Sequence, residues 1–307
     1  MDSQRVAAAD AWARQVRAAR AQIDRLRETT EEQDLYGPWA TRFAGDPNQT
    51  DDPALEVLLS EARPDDTWLD IGAGGGRYAL PLSVVVRRVV AVEPSTSMQE
   101  VLRAGITEHG IDNIEVIEGT WPAPKPLAAE VALMAHVGYD IEAFGGAFLD
   151  AVERAVERCV VIMRTSGAGR AHETLWPEIH GEPRLSYPML RQFLELLTAR
   201  GVAPSVTYVD RGSWGYESPE QMLEALRRLL YLRPGSAKDV RLERLLAERA
   251  TEQDGRWELD RTPMKDGVVT WEVMKQVRGG VAPSRSDRTR SRPGRISHAL
   301  AAERPNA

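Results

Sequence analysis

The 307-residue chain predicts an α/β fold: a seven-stranded, mostly parallel, doubly wound sheet with helices on both faces. Three observations carry that expectation. Short apolar, β-branched runs alternate with helical stretches from Thr67 to Met163. A glycine-rich turn follows the first of those runs and opens a helix, and a long helical stretch separates the last two runs.

In order along the chain, Val6, Ala9, Trp12, Ala13, Val16, Ala19, Ile23 and Leu26 recur at helical spacing and predict an amphipathic helix from Val6 to about Leu35. Leu35-Tyr36-Gly37-Pro38-Trp39 breaks it, and Asp51-Asp52-Pro53 signals a second helix, Ala54 to Glu61. Together these form an N-terminal helical segment, residues 1–62. The α/β domain, residues 63–278, then reads as strand Thr67–Ile71, helix Arg77–Val84, strand Val89–Val92, helix Ser97–Glu108 and strand Ile114–Ile117. Val131–Met134 is a fourth strand, Phe144–Arg158 a helix and Val160–Met163 a fifth strand. Leu175 to Pro188 reads as a loop rich in Trp, Pro, His and Gly, followed by a helix from Pro188 to Arg200 that Gly201 stops. After strand Val206–Val209, helices Pro219–Leu232 and Val240–Ala250 form an insertion over about 219–252, expected as a lid, before strand Val268–Val273. From Gly279 to the end, Pro, Ser, Arg and Gly predict a disordered Arg-rich tail.

Composition narrows the function classes. A single cysteine, Cys159, inside an apolar run rules out internal disulfides and a thiolate metal cage and fits a reducing cytoplasm. No apolar run reaches membrane-spanning length, so no membrane partner is expected. The formal charge is −7, yet Arg278, Arg285, Arg288, Arg290, Arg292, Arg295 and Arg304 crowd the last segment, so the body is more acidic than the total. An acidic body leads us to expect a small-molecule acceptor and no nucleic acid partner.

The chemistry centres on Asp70-Ile71-Gly72-Ala73-Gly74-Gly75-Gly76. Glycine permits positive φ and close ligand approach, and the free amides of the following helix start favour a negative group. A dinucleotide fingerprint wants glycines at its first, third and sixth positions, which here are Gly72, Gly74 and Arg77. The sixth fails. What stands instead is an acidic residue followed by glycines at alternate positions, and this closely resembles motif I of the class I, Rossmann-like methyltransferases that use S-adenosyl-L-methionine.

The resemblance spans roughly Thr67 to Arg164 and includes the order of elements. It implies that Asp70, Gly72, Ala73 and Gly74 contact the methionine end of the cofactor. Glu93, ending the next strand, would accept hydrogen bonds from both ribose hydroxyls, with Pro94 and Met98 beside it; a carboxylate suits that role because it has two acceptor oxygens. Thr120 stands where the family commonly has an adenine-binding Asp, and Trp121 offers an indole face to the purine. His136, after the fourth strand, would lie beside the methyl group, where it could line the cofactor or act as general base, with an ordinary pKa of about 6.5. The implied reaction is direct methyl displacement without a metal. The competing readings are an NAD(P)-dependent oxidoreductase and a cofactor-binding homologue without activity.

Plainer roles stand beside these. Glu93 could cap the Pro94-Ser95 turn, and Trp121, Tyr139, Trp214 and Tyr216 could belong to the core rather than to a binding pocket. The stripe Met222, Leu223, Leu226, Leu229, Leu230 reads as packing, and His180, Glu182 and Arg184 do not make a metal set.

Overall fold

Alternating side chains build the sheet as expected. Strands β1 (Thr67–Ile71), β2 (Arg88–Glu93), β3 (Ile114–Glu118), β4 (Val131–Ala135), β5 (Arg158–Arg164), β6 (Ser205–Arg211) and β9 (Met264–Glu272) form one sheet in the order β3-β2-β1-β4-β5-β9-β6. The first five pair in parallel, while β9 runs antiparallel to both β5 and β6. Leu69, Ile71, Val90, Val92, Ala132, Met134, Cys159, Val161 and Met163 face one way. Trp68, Val89, Ala91, Val131, Leu133, Val160 and Ile162 face the other. Both sets are buried, which is why the strands read as unbroken apolar runs.

The computed structural model describes residues 2–30, 37–123, 125–167, 170–212, 215–259 and 264–274. The chain divides into two units, residues 1–274 and 275–307, and the predicted tail lies in the second, outside the described residues, as does Trp214 in the first.

The helices are α1 (Asp2–Leu26), α2 (Pro53–Glu61), α3 (Ala79–Ser83), α4 (Thr96–Glu108), α5 (Leu149–Ala155), α6 (Ala171–His180), α7 (Leu190–Ala199), α8 (Pro219–Leu229) and α9 (Ala237–Arg249). Trp12 of α1 stacks on Phe144 with ring centroids 5.1 Å apart, and its indole N–H donates to the Ile141 carbonyl at 3.0 Å. The N-terminal helix is thereby part of the core over one sheet face. Asp52 caps α2, accepting from the Ala54 and Leu55 amides, as the Asp-Pro signal predicts.

The structure departs from the sequence reading in five places. The first helix, expected to run to about Leu35, ends at Leu26, and residues 27–30 are not helical. The stretch expected as a loop from Leu175 holds most of α6: His172, Leu175, Trp176 and Ile179 bury one helical face, Pro177 is tolerated inside, and Gly181 at φ +80° ends it. The helix expected over Phe144–Arg158 begins as a wider π-type turn, Phe144–Phe148, because Gly146 leaves helical geometry. The helix after the glycine loop is only Ala79–Ser83. A short hairpin, β7 (Thr251–Gln253) with β8 (Arg256–Glu258), follows α9; its strands are too short and polar to show a period. The insertion α8–α9 packs with α6 and Ile23 of α1 as a third apolar cluster containing Trp176, Met222, Leu226, Leu242 and Leu245.

Candidate cofactor and acceptor site

The parallel strands β1, β2 and β4 deliver the predicted residues to one carboxyl edge of the sheet, where open α/β sheets bind ligands. After β1 the chain turns sharply. Gly72, Gly74 and Gly76 adopt φ of +76°, +56° and +94°, so each alternate glycine occupies left-handed backbone. The Gly72 amide donates to the Val92 carbonyl at 2.7 Å, hooking the turn onto the end of β2. A Cβ on Gly72 would come within 2.5 Å of Val137 Cγ2, and one on Gly75 within 2.6 Å of the Phe43 carbonyl oxygen. The turn is thus packed against both the end of β4 and the N-terminal segment. Arg77, where a dinucleotide fingerprint needs glycine, instead donates to the Asp52 carboxylate through Nε at 2.9 Å and Nη2 at 2.7 Å.

Asp70 and Glu93 lie buried beside this turn. Burial, reinforced by the Glu93 charge, raises the Asp70 carboxyl to about 7. Glu93 accepts from the Gly74 amide at 2.8 Å and the Ser95 amide at 2.9 Å, so it both clamps the loop and caps the turn. Its two carboxylate oxygens hold further lone pairs. Met98 is buried with its sulfur 4.0 Å from the position a Gly74 Cβ would take; Ala73 is buried, and Pro94 is exposed. The Gly119 amide donates to the Glu93 carbonyl at 3.2 Å, bringing the end of β3 to the same edge. Thr120 is exposed there, while Trp121 is part-buried against the core, its indole N–H reaching the Phe148 carbonyl at 3.4 Å.

His136 stands just beyond β4 with φ +59°, a left-handed backbone unusual outside glycine. Its Nδ1 lies 3.1 Å from the Tyr139 hydroxyl, and its Nε2 lies 3.0 Å from Arg211 Nη1 and 3.4 Å from Asp266 Oδ2. A guanidinium can only donate, so the Arg211 contact requires an unprotonated Nε2 and places the ring proton on Nδ1. Burial lowers this imidazole to about 4, with Arg211 and Arg164 acting in the same direction and Asp266 opposing them. At neutral pH the ring is uncharged, and both nitrogens are engaged.

Around His136 the structure gathers Tyr139, which the sequence offered as core or pocket, with arginines and an aspartate that sequence reading missed. Tyr139 accepts the Arg164 amide at 2.8 Å, and the Arg164 guanidinium lies 5.5 Å from the Tyr139 ring centre. Arg211 ends β6 and sits 3.4 Å from the buried Asp266 of β9. Arg170 caps the start of α6. These residues are scattered from 139 to 266, and the antiparallel pairing of β9 with β5 and β6 brings Arg164, Arg211 and Asp266 together. Arg184 pairs with Glu173 of α6 at 3.0 Å. The other singled-out residues diverge from the edge: His180 meets the Leu230 carbonyl at 3.1 Å, and Glu182 pairs with Arg25. Tyr216 lies in the third apolar cluster.

No protein-family model matches the chain. Its sequence is 37% identical over 76 residues to a protein-L-isoaspartate O-methyltransferase of Methanoregula boonei, spanning 25% of this chain and 35% of that protein. It is 41% identical over 62 residues to a 23S rRNA (uracil(1939)-C(5))-methyltransferase of Xanthomonas euvesicatoria, spanning 20% of this chain and 14% of that one. The chain thus spans about a third or less of the curated relatives it matches. One expectation is corrected by these relatives. The acidic body led us to expect no nucleic acid partner, yet relatives include methyltransferases named for rRNA and for tRNA, so net charge does not exclude RNA. Among the described residues, no helix is long and apolar enough to cross a membrane. Among solved structures, an S-adenosylmethionine-dependent methyltransferase of Thiobacillus denitrificans superimposes with a TM-score of 0.51 at 14% identity, covering 79% of this chain and 98% of that one. With its β3-β2-β1-β4-β5-β9-β6 order, its antiparallel last strand and this neighbour, the chain has the fold of the class I methyltransferases.

Proposed function

We propose that the chain is an S-adenosyl-L-methionine-dependent methyltransferase that transfers the methyl group by direct displacement to an acceptor entering beside His136. The observation that carries this reading is the clamp of Glu93, at the end of β2, on Gly74 of a turn whose alternate glycines are all left-handed. The fit to the cofactor is physical as well as by resemblance. A cationic ligand with ribose hydroxyls suits two buried carboxylates, Asp70 and Glu93, at the ends of adjacent strands beside the turn. Asp70, Gly72, Ala73 and Gly74 are assigned to its methionine end, Glu93 to its ribose, and Pro94, Met98, Thr120 and Trp121 to its adenosine side. When bound, it supplies an electrophilic sulfonium methyl.

The chain's own residues bind, orient and exclude water. His136, held neutral between Tyr139 and Arg211, is assigned to the acceptor side, where base work would require the acceptor to displace Arg211 from Nε2. Methyl transfer depends strongly on alignment, and a rigid polar wall provides it. The insertion over about 219–252 braces α6 and is assigned as the wall or lid of that side. For the acceptor itself we propose a small molecule, because the Arg211 and His136 side chains are only 15% and 20% exposed; RNA belongs in the same acceptor screen.

Calorimetric titration with S-adenosylhomocysteine tests the central claim: binding is expected, and its absence overturns the reading. Glu93→Ala should weaken that binding at least about tenfold, the scale of losing a charged hydrogen-bond partner. Unchanged affinity would remove the ribose assignment.

A further inference from the structure

We propose that the acceptor carries a compact anionic group, a carboxylate or a phosphate monoester, seated between Arg164, Arg170, Arg184 and Arg211 at the carboxyl edge of β5 and β6. The inference rests on the methyltransferase reading and adds to it the acceptor's chemistry.

The placement comes first. Arg164 is the last residue of β5 and pairs across the sheet with Asp266; Arg211 is the last residue of β6. Arg170 holds the N-cap position of α6, and Arg184, which follows the helix, folds back along it to reach Glu173 of its first turn at 3.0 Å and the Trp176 ring at 4.3 Å. The four are close enough for their charges to act on one another: Arg170 is depressed by burial first, and then by Arg164, Arg184 and Arg211.

Compensation is incomplete. Two carboxylates face the cluster, Glu173 at 3.0 Å from Arg184 Nε and Asp266 at 3.4 Å from Arg211 Nη1. Arg164 and Arg170 form no ion pair or side-chain hydrogen bond with the described residues. Arg184 is clamped over the Trp176 ring at 4.3 Å, yet its Nη1 is buried without a hydrogen-bond partner, and the side chain is only 10% exposed. Four recessed guanidiniums against two carboxylates leave an excess positive charge that destabilises the fold unless a ligand neutralises it. Planar guanidiniums match carboxylate and phosphate oxygens in pairs.

The cluster also adjoins the reacting edge. Arg211 touches His136, and Arg77 of the glycine loop contributes to the field at Arg211. An anion held here would place the rest of its molecule beside His136. A nucleic acid backbone favours an exposed basic track, whereas these side chains converge in a recess, which favours a compact group.

The test uses the full chain saturated with S-adenosylhomocysteine, at constant ionic strength, titrated with inorganic phosphate, with succinate and with a single-stranded RNA oligonucleotide. Phosphate or succinate should bind, and Arg164→Gln and Arg170→Gln should each weaken that binding about tenfold or more, the worth of one charge-assisted hydrogen bond. S-adenosylhomocysteine affinity should stay within about twofold, a change too small to represent a lost ion pair. Arg170→Gln should also raise the melting temperature of the ligand-free chain, because it relieves repulsion; a structural arginine would lower it. Unchanged anion binding in both variants overturns the proposal. So does a parallel loss of S-adenosylhomocysteine affinity, which would assign the cluster to the cofactor's own carboxylate, and so does oligonucleotide binding that the same variants abolish while phosphate and succinate do not bind. If S-adenosylhomocysteine fails to bind the wild type while the anion response is lost in the variants, the methyltransferase reading fails and the anion site stands.

Discussion

Replacing Asp70 by Asn removes a carboxylate that the fold holds at a cost. Burial and the Glu93 charge raise its pKa from the ordinary 3.8 to about 7. The folded chain therefore binds this proton more tightly than the unfolded chain, and stability falls as pH rises from about 4 through about 7. A shift of about three units corresponds to roughly 4 kcal/mol at pH 8, where the folded-state carboxyl is ionised. At pH 5 the folded group is protonated and the cost is less than half of that, so the difference between pH 8 and pH 5 is ~2–3 kcal/mol. Denaturant unfolding of wild type and Asp70→Asn at both values checks it. The gain in stability of the variant should be larger at pH 8 by that amount, since changes in shape or hydrogen bonding are the same at both pH values and cancel. An equal effect at pH 5 and pH 8 would refute the buried-charge account. The same variant should bind S-adenosylhomocysteine more weakly, a trade of stability against binding at one residue.

Gly72→Ala should destabilise the chain by ~2–4 kcal/mol, from left-handed backbone and from a methyl set against Val137, and Val137→Ala should restore only the second part; thermal melts of the single and double variants resolve the two. Asp52→Ala should cost ~2–4 kcal/mol in denaturant unfolding by removing the α2 cap and leaving half-buried Arg77 unpaired. Against the upward push of burial, Arg77 holds the Asp52 carboxyl low, so its contribution is present at neutral pH and lost as pH falls through the carboxylate range. His136, lowered to about 4 by burial, should withdraw stability as pH falls from about 6.5 toward 4, and a turnover profile should show no step near 6.5 that His136→Gln abolishes; such a step would restore the free-base assignment.

The cofactor half of the site was legible in the sequence and the acceptor half was not, for a reason that lies in chain topology. Asp70, Gly72, Gly74 and Glu93 belong to one strand–turn–helix–strand unit, so the spacing that identifies them is also their spatial arrangement. The three left-handed glycines could be predicted because only glycine adopts that backbone cheaply at every second residue. Arg164, Arg170, Arg184 and Arg211 belong to different elements, and each alone reads as a solvated surface charge. They converge because β9, 53 residues beyond Arg211 at its first residue, inserts antiparallel between β5 and β6 and sets Asp266 opposite Arg164. In the stretch from Leu175, Pro177 and Gly181 signal a loop, while the apolar spacing of His172, Leu175, Trp176 and Ile179 is the signal that reveals α6. Once α6 is a helix, Arg170 holds its N-cap and Arg184, just beyond its C-terminus, can fold back onto Glu173 of its first turn. Local motifs therefore identify what a chain holds through one turn, while the chemistry of an acceptor assembled across the sheet requires the fold to be known first.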